Sequence, residues 1–250
     1  MKFRDILKKD RTKNEIFLGE RSFGGDYTVD LDTHPSIIIT GETGTGKSIL
    51  LDQILCQIIA KHTSLEMGLV LVDTGGIELN YYSRSKYSLF SAINNKNDSV
   101  TAIAKILREI ERRKQLLIEQ GVTTFVEYNM IAEKKLPKIF LAIDDDKSML
   151  SLPDMEKQLS SIIASVNGLG IYILLATNDV YNKFFERDNN TLSSLRISFD
   201  LSSYEESVRT NIAGAESLGI GNIIITDGNE NSVCNTYSFD DHIITEIIER

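Results

Sequence analysis

Residues 41–48 read Gly-Glu-Thr-Gly-Thr-Gly-Lys-Ser, which is the G-x-x-x-x-G-K-S pattern of a phosphate-binding loop. Glycines in such a loop allow backbone N–H groups to turn inward around phosphate oxygens. The ammonium of Lys47 is expected to reach the β- and γ-phosphates, and the hydroxyl of Ser48 to bind Mg²⁺. The chemistry that this pattern predicts is therefore binding of ATP with magnesium.

The sequence on both sides of the loop predicts the elements that hold it. Residues 36–40 are a β-branched run typical of a strand, and residues 49–59 have the apolar spacing of a helix. The positive end of this helix would point at the phosphates. These flanks argue against a glycine-rich turn that binds nothing. Nucleotide contacts are expected from the loop and the residue after it: Gly41, Glu42, Thr43, Gly44, Thr45, Gly46, Lys47, Ser48 and Ile49.

Acidic residues end a second apolar run. Residues 139–143 are all apolar, and Asp144 and Asp145 follow. Because ligands of open α/β sheets lie at the carboxyl ends of the strands, Asp144 is expected to hold Mg²⁺ and Asp145 to orient the attacking water. With Lys47 they form the predicted catalytic set. Asn178 ends a further buried run and is a candidate γ-phosphate sensor, although an ordinary strand end explains it as well.

The composition is that of a soluble globular protein, with 42% apolar and 25% charged residues in 250. A net charge of −9 argues against a globally basic nucleic-acid binder, but leaves a local basic lining open. Cys56 and Cys234 are far apart in apolar stretches, which predicts buried, reduced thiols. Because the sequence shows neither a signal peptide nor a run long enough to cross a bilayer, it predicts a cytoplasmic chain.

Strands alternating with helices predict an α/β fold, with a mainly parallel sheet and helices on both faces. Hairpins are predicted before the phosphate loop and near the C-terminus, and residues 99–120 form a long helix whose basic side chains are expected to be solvated. The predicted organisation is a charged leader over residues 1–15 and a single domain over residues 16–250. The remaining predicted elements are strands 69–73, 171–178 and 195–201, and helices 155–167 and 241–250.

Several blocks, in the same order, resemble the motor domain of the FtsK/SpoIIIE family of DNA-translocating ATPases. The resemblance extends from about Ile16 to the C-terminus. Besides the phosphate loop, it rests on six segments. Residues 29–35, after the predicted hairpin, resemble "DL…P", residues 73–82 "DPK-x-x-EL-x-x-Y", residues 111–129 "ERR…G-V…YN", residues 136–145 the acidic strand, residues 170–177 "GIH-hhhATQRP", and residues 209–218 "SRTIL…GGAE-x-L".

The resemblance implies a RecA-like P-loop core that assembles into a ring, usually a hexamer. ATP would lie between neighbouring subunits, and double-stranded DNA would pass through the pore. Membrane contact would occur only through regions outside this chain. The chain itself could be the soluble part of a membrane-anchored protein. Two alternatives remain open: a type VII secretion ATPase module that moves protein, and a nucleotide-binding regulatory or assembly subunit with little hydrolysis.

Four departures from the family pattern concern hydrolysis rather than phosphate binding. Asp145 replaces a glutamate, and Asn167 replaces the arginine thought to reach a neighbour's ATP. The segment "TQRP" becomes residues 177–180, Thr-Asn-Asp-Val, and "DPK" becomes residues 73–75, Asp-Thr-Gly. An aspartate is one methylene shorter, and a misplacement of about 1 Å can cost about a hundredfold in rate. We therefore expect intact phosphate binding and a weakened hydrolytic site, with Arg196 and Arg209 as candidates for the missing charge.

Overall fold

The computed structural model describes residues 2–9, 11–76, 78–89, 92–185 and 194–249. The strands are β1 Glu15–Arg21, β2 Asp26–Asp30, β3 Ser36–Thr40, β4 Met67–Asp73, β5 Lys138–Asp145, β6 Ile171–Thr177, β7 Leu195–Ser198, β8 Asn222–Thr226 and β9 Asn231–Asn235. The helices are α1 Phe3–Ile6, α2 Lys47–Lys61, α3 Asn80–Ser83, α4 Lys96–Gln120, α5 Phe125–Ile131, α6 Met155–Ser165, α7 Tyr204–Thr210 and α8 His242–Ile248. Two short 3-10 turns cover Lys183–Phe185 and Ala215–Ser217.

The described strands form one sheet in the order β2-β1-β9-β8-β7-β3-β6-β5-β4. Strands β7, β3, β6, β5 and β4 pair in parallel, whereas β2, β1, β9 and β8 join by antiparallel pairing. This confirms the predicted α/β fold with its flanking hairpins. The strand that precedes the phosphate loop lies in the interior of the sheet, between β7 and β6.

Apolar side chains fill both faces of the sheet. In β3, Ile37 and Ile39 pack into one core cluster with α2, while Ile38 between them packs into the other with α4 and α6. Successive side chains of a strand point to opposite faces, so a strand covered on both sides reads as an uninterrupted apolar run. The predicted buried strands are confirmed for this reason.

Strand β7 is shorter than predicted. The chain leaves the strand after Ser198 instead of continuing to residue 201, although the backbone N–H of Phe199 still donates to the carbonyl oxygen of Thr40 at 2.9 Å. Phe199 then packs against the start of α2, away from the sheet register. The predicted closing helix is observed over residues 242–248, and its predicted last residue, 250, lies outside the described residues.

The charged segment before Ile16 is not solvated throughout. Phe3 and Ile6 are completely buried in the core cluster that also contains α2 and α8. Arg4, on the opposite side of the same turn, forms an exposed ion pair with Glu246 at 2.8 Å. The segment is therefore anchored to the domain by its apolar side chains, and residues 1 and 10 lie outside the described part.

Arg113 departs from the expectation that the basic residues of α4 are solvated. Its side chain is 1% exposed. Its guanidinium donates to the carbonyl oxygens of Leu169 and Pro137, each at 2.7 Å, and to the carboxylate of Glu109 at 2.8 Å. Because buried charge is tolerated when it is paired and hydrogen-bonded, Arg113 joins α4 to the amino ends of β5 and β6. The predicted solvation was wrong for this residue.

Both cysteines are buried and free, as predicted. Among the described helices, none combines the length and the apolar character needed to cross a membrane.

Candidate functional site

The phosphate-binding loop connects β3 to α2 and depends on two glycines that contact Phe199. Gly41 has φ +149° and Gly46 has φ +113°, conformations that other residues rarely adopt. A Cβ atom on Gly41 would lie 2.7 Å from Cβ of Phe199, and one on Gly46 would lie 3.1 Å from Cε1 of the same ring. Phe199 therefore packs against the loop; it leaves no room for a side chain at Gly41, and at Gly46 a side chain would be tight as well as strained in φ.

Lys47 is the first residue of α2 and folds back over the loop. Its ammonium donates to the carbonyl oxygen of Glu42 at 2.8 Å. Burial lowers the pKa of Lys47, while the negative charges of Asp144 and Glu42 raise it. A cation held inside the curve of the loop, next to the amino end of a helix, suits an anion with several oxygens.

Asn178 lies beside the loop, as its place at the end of β6 suggested. Its Nδ2 donates to the hydroxyl of Thr43 at 3.0 Å. The amide oxygen Oδ1 is buried and has no hydrogen-bond partner among the described residues. A buried polar atom without a partner is uncommon in folded proteins, and here it belongs to a residue that lines the cavity next to the loop.

Asp144 faces the start of α2 from the end of β5. Strand pairing places it opposite Asp73 of β4, and its carboxylate interacts with the hydroxyl of Ser48. Burial raises the pKa of Asp144 to about 6, the Ser48 hydrogen bond lowers it, and the nearby charges of Asp73 and Glu78 raise it. Its Oδ2 is buried without a partner in the described chain, so this carboxylate fits a cation that would compensate it.

The oxygen donors at this site suit Mg²⁺ better than a metal ion that is bound by protein side chains alone. The described residues contain no group of three or more histidine, cysteine or carboxylate side chains placed to hold a metal ion. Mg²⁺ typically keeps several waters and binds one or two protein groups together with substrate phosphates. Ser48 and Asp144 supply an oxygen donor pair of that kind.

Asp145 and Asp146 have different environments although they are neighbours in sequence. Asp145 is 2% exposed and accepts hydrogen bonds from the backbone N–H groups of Met149, at 2.8 Å, and Leu150, at 3.4 Å. Burial raises the pKa of Asp145, and these hydrogen bonds lower it. Asp146 is exposed, and the hydroxyl of Thr74 donates to its Oδ1 at 2.7 Å.

A cavity of about 450 Å³ joins the loop to the acidic ends of the strands. The residues that line it are Thr43, Gly44, Gly46, Lys47, Ser48, Ile49, Glu78, Asp144, Asp145, Asp146 and Asn178. Most predicted site residues are therefore brought together. Gly41, Glu42 and Thr45 stand outside this lining in the described chain, and they support the loop instead: the hydroxyl of Thr45 donates to the carbonyl oxygen of Glu42 at 2.8 Å.

Sequence reasoning assigned no role to two acidic residues of this cavity, Glu78 and Asp146. A signal for Asp146 was available, since it is the third acid of a consecutive run. A signal for Glu78 was also available, because it lies in the "EL" block that follows β4. Neither signal indicates which way a side chain turns.

The other candidate residues lie away from the cavity. Asn167 lies shortly before β6, at the edge of the sheet opposite the phosphate loop, and lines a separate cavity with Phe125. Arg196 is buried in β7, where it donates to the carbonyl oxygen of Thr210 at 3.3 Å. The guanidinium of Arg209 lies 4.9 Å from the ring centre of Tyr181. In the described structure, none of the three belongs to the lining around Lys47.

Comparison with known proteins points to one family. A family model described as the FtsK/SpoIIIE family matches residues 4–186. The DNA translocase FtsK of Staphylococcus aureus strain Mu50 is 30% identical over 239 residues, which is 88% of this chain and 30% of that protein. The chain thus spans about a third of the length of this curated relative.

Solved structures agree on the fold. The pCW3 conjugation coupling protein TcpA, in a monomer form with ATPγS, matches with a TM-score of 0.77 and 21% identity over 96% of this chain and 71% of that one. The cytoplasmic domain of the type VII secretion ATPase EccC of Thermomonospora curvata matches with a TM-score of 0.79 and 19% identity, over 100% of this chain and 33% of that one. At these identities, the likeness concerns the fold alone.

Proposed function

Because the chain belongs to the FtsK/SpoIIIE family, we propose that it is the ATP-binding motor domain of a translocase that moves double-stranded DNA by hydrolysing ATP. The observation that carries the proposal is a cavity in which the phosphate loop faces Asp144. The chain that forms this cavity is 30% identical to a DNA translocase over 88% of its own residues.

In this proposal, the phosphate loop binds the triphosphate. Backbone N–H groups of residues 41–48 and the amino end of α2 surround the phosphate oxygens, and the ammonium of Lys47 exchanges its contact with Glu42 for the β- and γ-phosphates. Ser48 and Asp144 hold Mg²⁺. When bound, Mg²⁺ neutralises charge on the phosphate oxygens. The buried, unpartnered Oδ2 of Asp144 and Oδ1 of Asn178 in the described chain are both acceptors, so they support an occupant that brings a cation or hydrogen-bond donors, such as Mg²⁺ with its bound waters.

Hydrolysis requires an acid that orients the attacking water. The end of β5 supplies this acid, and Asp145 is the residue that corresponds in sequence to the family's glutamate. Asn178 is positioned beside Thr43 of the loop, where its amide would respond to the presence of the γ-phosphate. Lys47 completes the catalytic set by stabilising negative charge on the transferred phosphoryl group.

We place DNA outside this cavity, and a neighbouring subunit at its border. Six copies would form a ring in which ATP lies between neighbours and DNA runs through the pore. Arg209, on α7, is better suited than the buried Arg196 to approach a neighbour's ATP, because its side chain is 32% exposed. The domain would work in the cytoplasm, with any membrane contact made by regions outside this chain.

A second candidate is a module that moves protein instead of DNA. It is supported by the fold shared with the secretion ATPase EccC, at a TM-score of 0.79. The 30% identity to a DNA translocase favours the first proposal. A third candidate is a regulatory subunit that binds ATP without turning it over, which is supported by the backbone hydrogen bonds that occupy Asp145.

ATPase activity measured with and without duplex DNA tests the proposal. The ATPase rate should rise with DNA and fall as salt is added, because phosphate contacts are screened. If subunits must assemble, the rate should increase more than in proportion to the protein concentration. The variant Lys47→Ala serves as the inactive control. Turnover that ignores DNA and responds to a secreted peptide would favour the protein-moving module. ATP binding with turnover at background would favour the regulatory subunit.

A further inference from the structure

We infer that Asp146, held by Thr74, is the acid that orients the attacking water, and that Asp145 is a structural residue that caps the turn after β5. The inference rests on the proposed function, since it concerns ATP hydrolysis at the same cavity. It differs from the sequence correspondence, which assigns that role to the residue directly after Asp144.

The carboxylate of Asp145 is already engaged. Its Oδ1 accepts the N–H of Met149 at 2.8 Å, and its Oδ2 accepts the N–H of Leu150 at 3.4 Å. Both partners are backbone groups in the buried turn that leads to α6. Turning this carboxylate toward a water would leave those buried N–H groups without a partner, which is destabilising.

The carboxylate of Asp146 is held in place but remains accessible. Its backbone N–H donates to the hydroxyl oxygen of Thr74 at 3.0 Å, and that hydroxyl donates its proton to Oδ1 of Asp146 at 2.7 Å. The side chain is exposed and lines the cavity that also contains Lys47 and Ser48. An acid that orients water needs both properties: a fixed geometry and contact with the substrate space.

Thr74 selects between the two acids. A hydroxyl has one proton to donate, and its distance to Asp146 Oδ1, 2.7 Å, is much shorter than its distance to Asp145 Oδ1, 3.4 Å. Thr74 occupies the place where the family pattern has proline, a residue without a side-chain donor. Thr74 and Asp145, which both differ from the family pattern, therefore lie within contact distance of one another. We treat the two differences as parts of one altered site.

The step itself is ordinary hydrolysis. The water oxygen bonds to the γ-phosphorus while the bond from that phosphorus to the β,γ-bridging oxygen breaks, and the electron pair of that bond stays with ADP. The products are ADP and inorganic phosphate. Asp146 accepts the hydrogen bond of the attacking water, and the released water proton passes through its carboxylate to the solvent.

Four variants test the assignment: Asp146→Asn, Asp146→Glu, Asp145→Asn and Thr74→Val. Asp146→Asn should lower kcat on the order of a hundredfold, the size typical of a lost acid–base group, with KM for ATP and the melting temperature near the wild-type values. Asp145→Asn should lower the melting temperature by several degrees and lower kcat less than Asp146→Asn does. Thr74→Val should lower kcat by about tenfold, and Asp146→Glu should retain more activity than Asp146→Asn.

The outcomes separate this inference from the proposed function. Wild-type turnover at background, with ATP bound, would overturn both. Normal wild-type turnover that persists in Asp146→Asn would overturn the inference alone. Loss of turnover in Asp145→Asn with an unchanged melting temperature would also overturn it. If Asp145→Asn does not fold, the structural role of Asp145 is supported, and Asp146→Asn still decides which acid acts.

Discussion

The phosphate loop and the acidic ends of β4 and β5 face each other across one cavity, but they are built by different means. The loop is set by backbone conformations that glycine permits, at Gly41 and Gly46, and by one ring packed beneath them. The acidic side is set by side-chain hydrogen bonds, such as the one that joins Thr74 to Asp146 across 72 positions of sequence. The loop thus depends mainly on backbone conformations in one short segment together with one distant ring, whereas the acidic side depends on hydrogen bonds between side chains at the ends of different strands.

This contrast predicts different kinds of damage. A substitution in the loop should weaken nucleotide binding. A substitution among the acidic residues should change the rate of hydrolysis or the pH dependence of stability. Four further predictions are ordered by the size of the expected effect; those for Lys47, Gly41 and Asn178 test this separation, and the one for Asp52 concerns a buried acid of α2.

Lys47→Ala should cause the largest change, a loss of ATP affinity on the order of a hundredfold. A hydrogen bond from a charged group contributes about 1.5–3 kcal/mol, and Lys47 contributes to two phosphates in the proposed complex. Isothermal titration calorimetry measures the effect. Lys96→Ala removes an exposed lysine at the start of α4 and should leave the affinity unchanged. An unaltered ATP affinity in Lys47→Ala would refute the assignment of the loop.

Gly41→Ala should weaken both ATP binding and folding. The new Cβ would lie 2.7 Å from Cβ of Phe199 and 2.9 Å from Oγ1 of Thr45, so the loop must shift. Strain of this kind costs about 1–3 kcal/mol. Gly228→Ala is the matched control, because Gly228 also has a positive φ, +96°, but has no described atom near its Cβ and lies in the β8–β9 turn. Both variants should lose thermal stability, and only Gly41→Ala should lose ATP affinity.

Asp52→Asn should change the pH dependence of stability. Burial raises the pKa of Asp52 to about 8, with Glu78, Asp144 and Asp241 adding to the rise and the hydrogen bond from Tyr82 opposing it. The folded state thus favours protonated Asp52. The stability this provides is complete below the ordinary aspartate pKa and is lost as the pH rises through about 8, by about 1 kcal/mol per pH unit.

The asparagine side chain of this variant cannot ionise, so urea unfolding should show a stability advantage of the variant that grows between about pH 6 and pH 8. Tyr82→Phe removes the opposing hydrogen bond, which measures 2.8 Å, so in the wild-type background it should extend the loss of stability to higher pH. Parallel pH profiles for Asp52→Asn and the wild type would contradict the prediction.

Asn178→Ala should have the smallest effect, about a fivefold loss of ATP affinity. Its contact with Thr43 is a neutral hydrogen bond of 3.0 Å, and such bonds contribute about 0.5–1.5 kcal/mol. A double-mutant cycle with Thr43→Val isolates the pair. Coupling of that size would support a link between β6 and the loop, whereas strictly additive losses would show that Asn178 does not act through Thr43.

The same contrast explains how far sequence reasoning succeeded. The parallel strands were predicted because burial on both faces leaves continuous apolar runs such as residues 69–72 and 171–175. The loop was predicted because its glycines and Lys47 form a contiguous pattern. Arg113 was misjudged because its partners, the carbonyl oxygens of Pro137 and Leu169, come from distant segments. Asp146 was missed for the same reason, since its shortest hydrogen bond comes from Thr74.

Phe199 has a consequence for how the domain can be divided. The family match ends at residue 186, yet β7 beyond it pairs with β3 and leads into the ring that supports Gly41 and Gly46. A fragment that ended at residue 186 would uncover one edge of β3, and unpaired apolar edges promote aggregation. It would also lack the support of the loop. The smallest fragment that keeps this support therefore extends at least through Phe199, beyond the boundary of the family match.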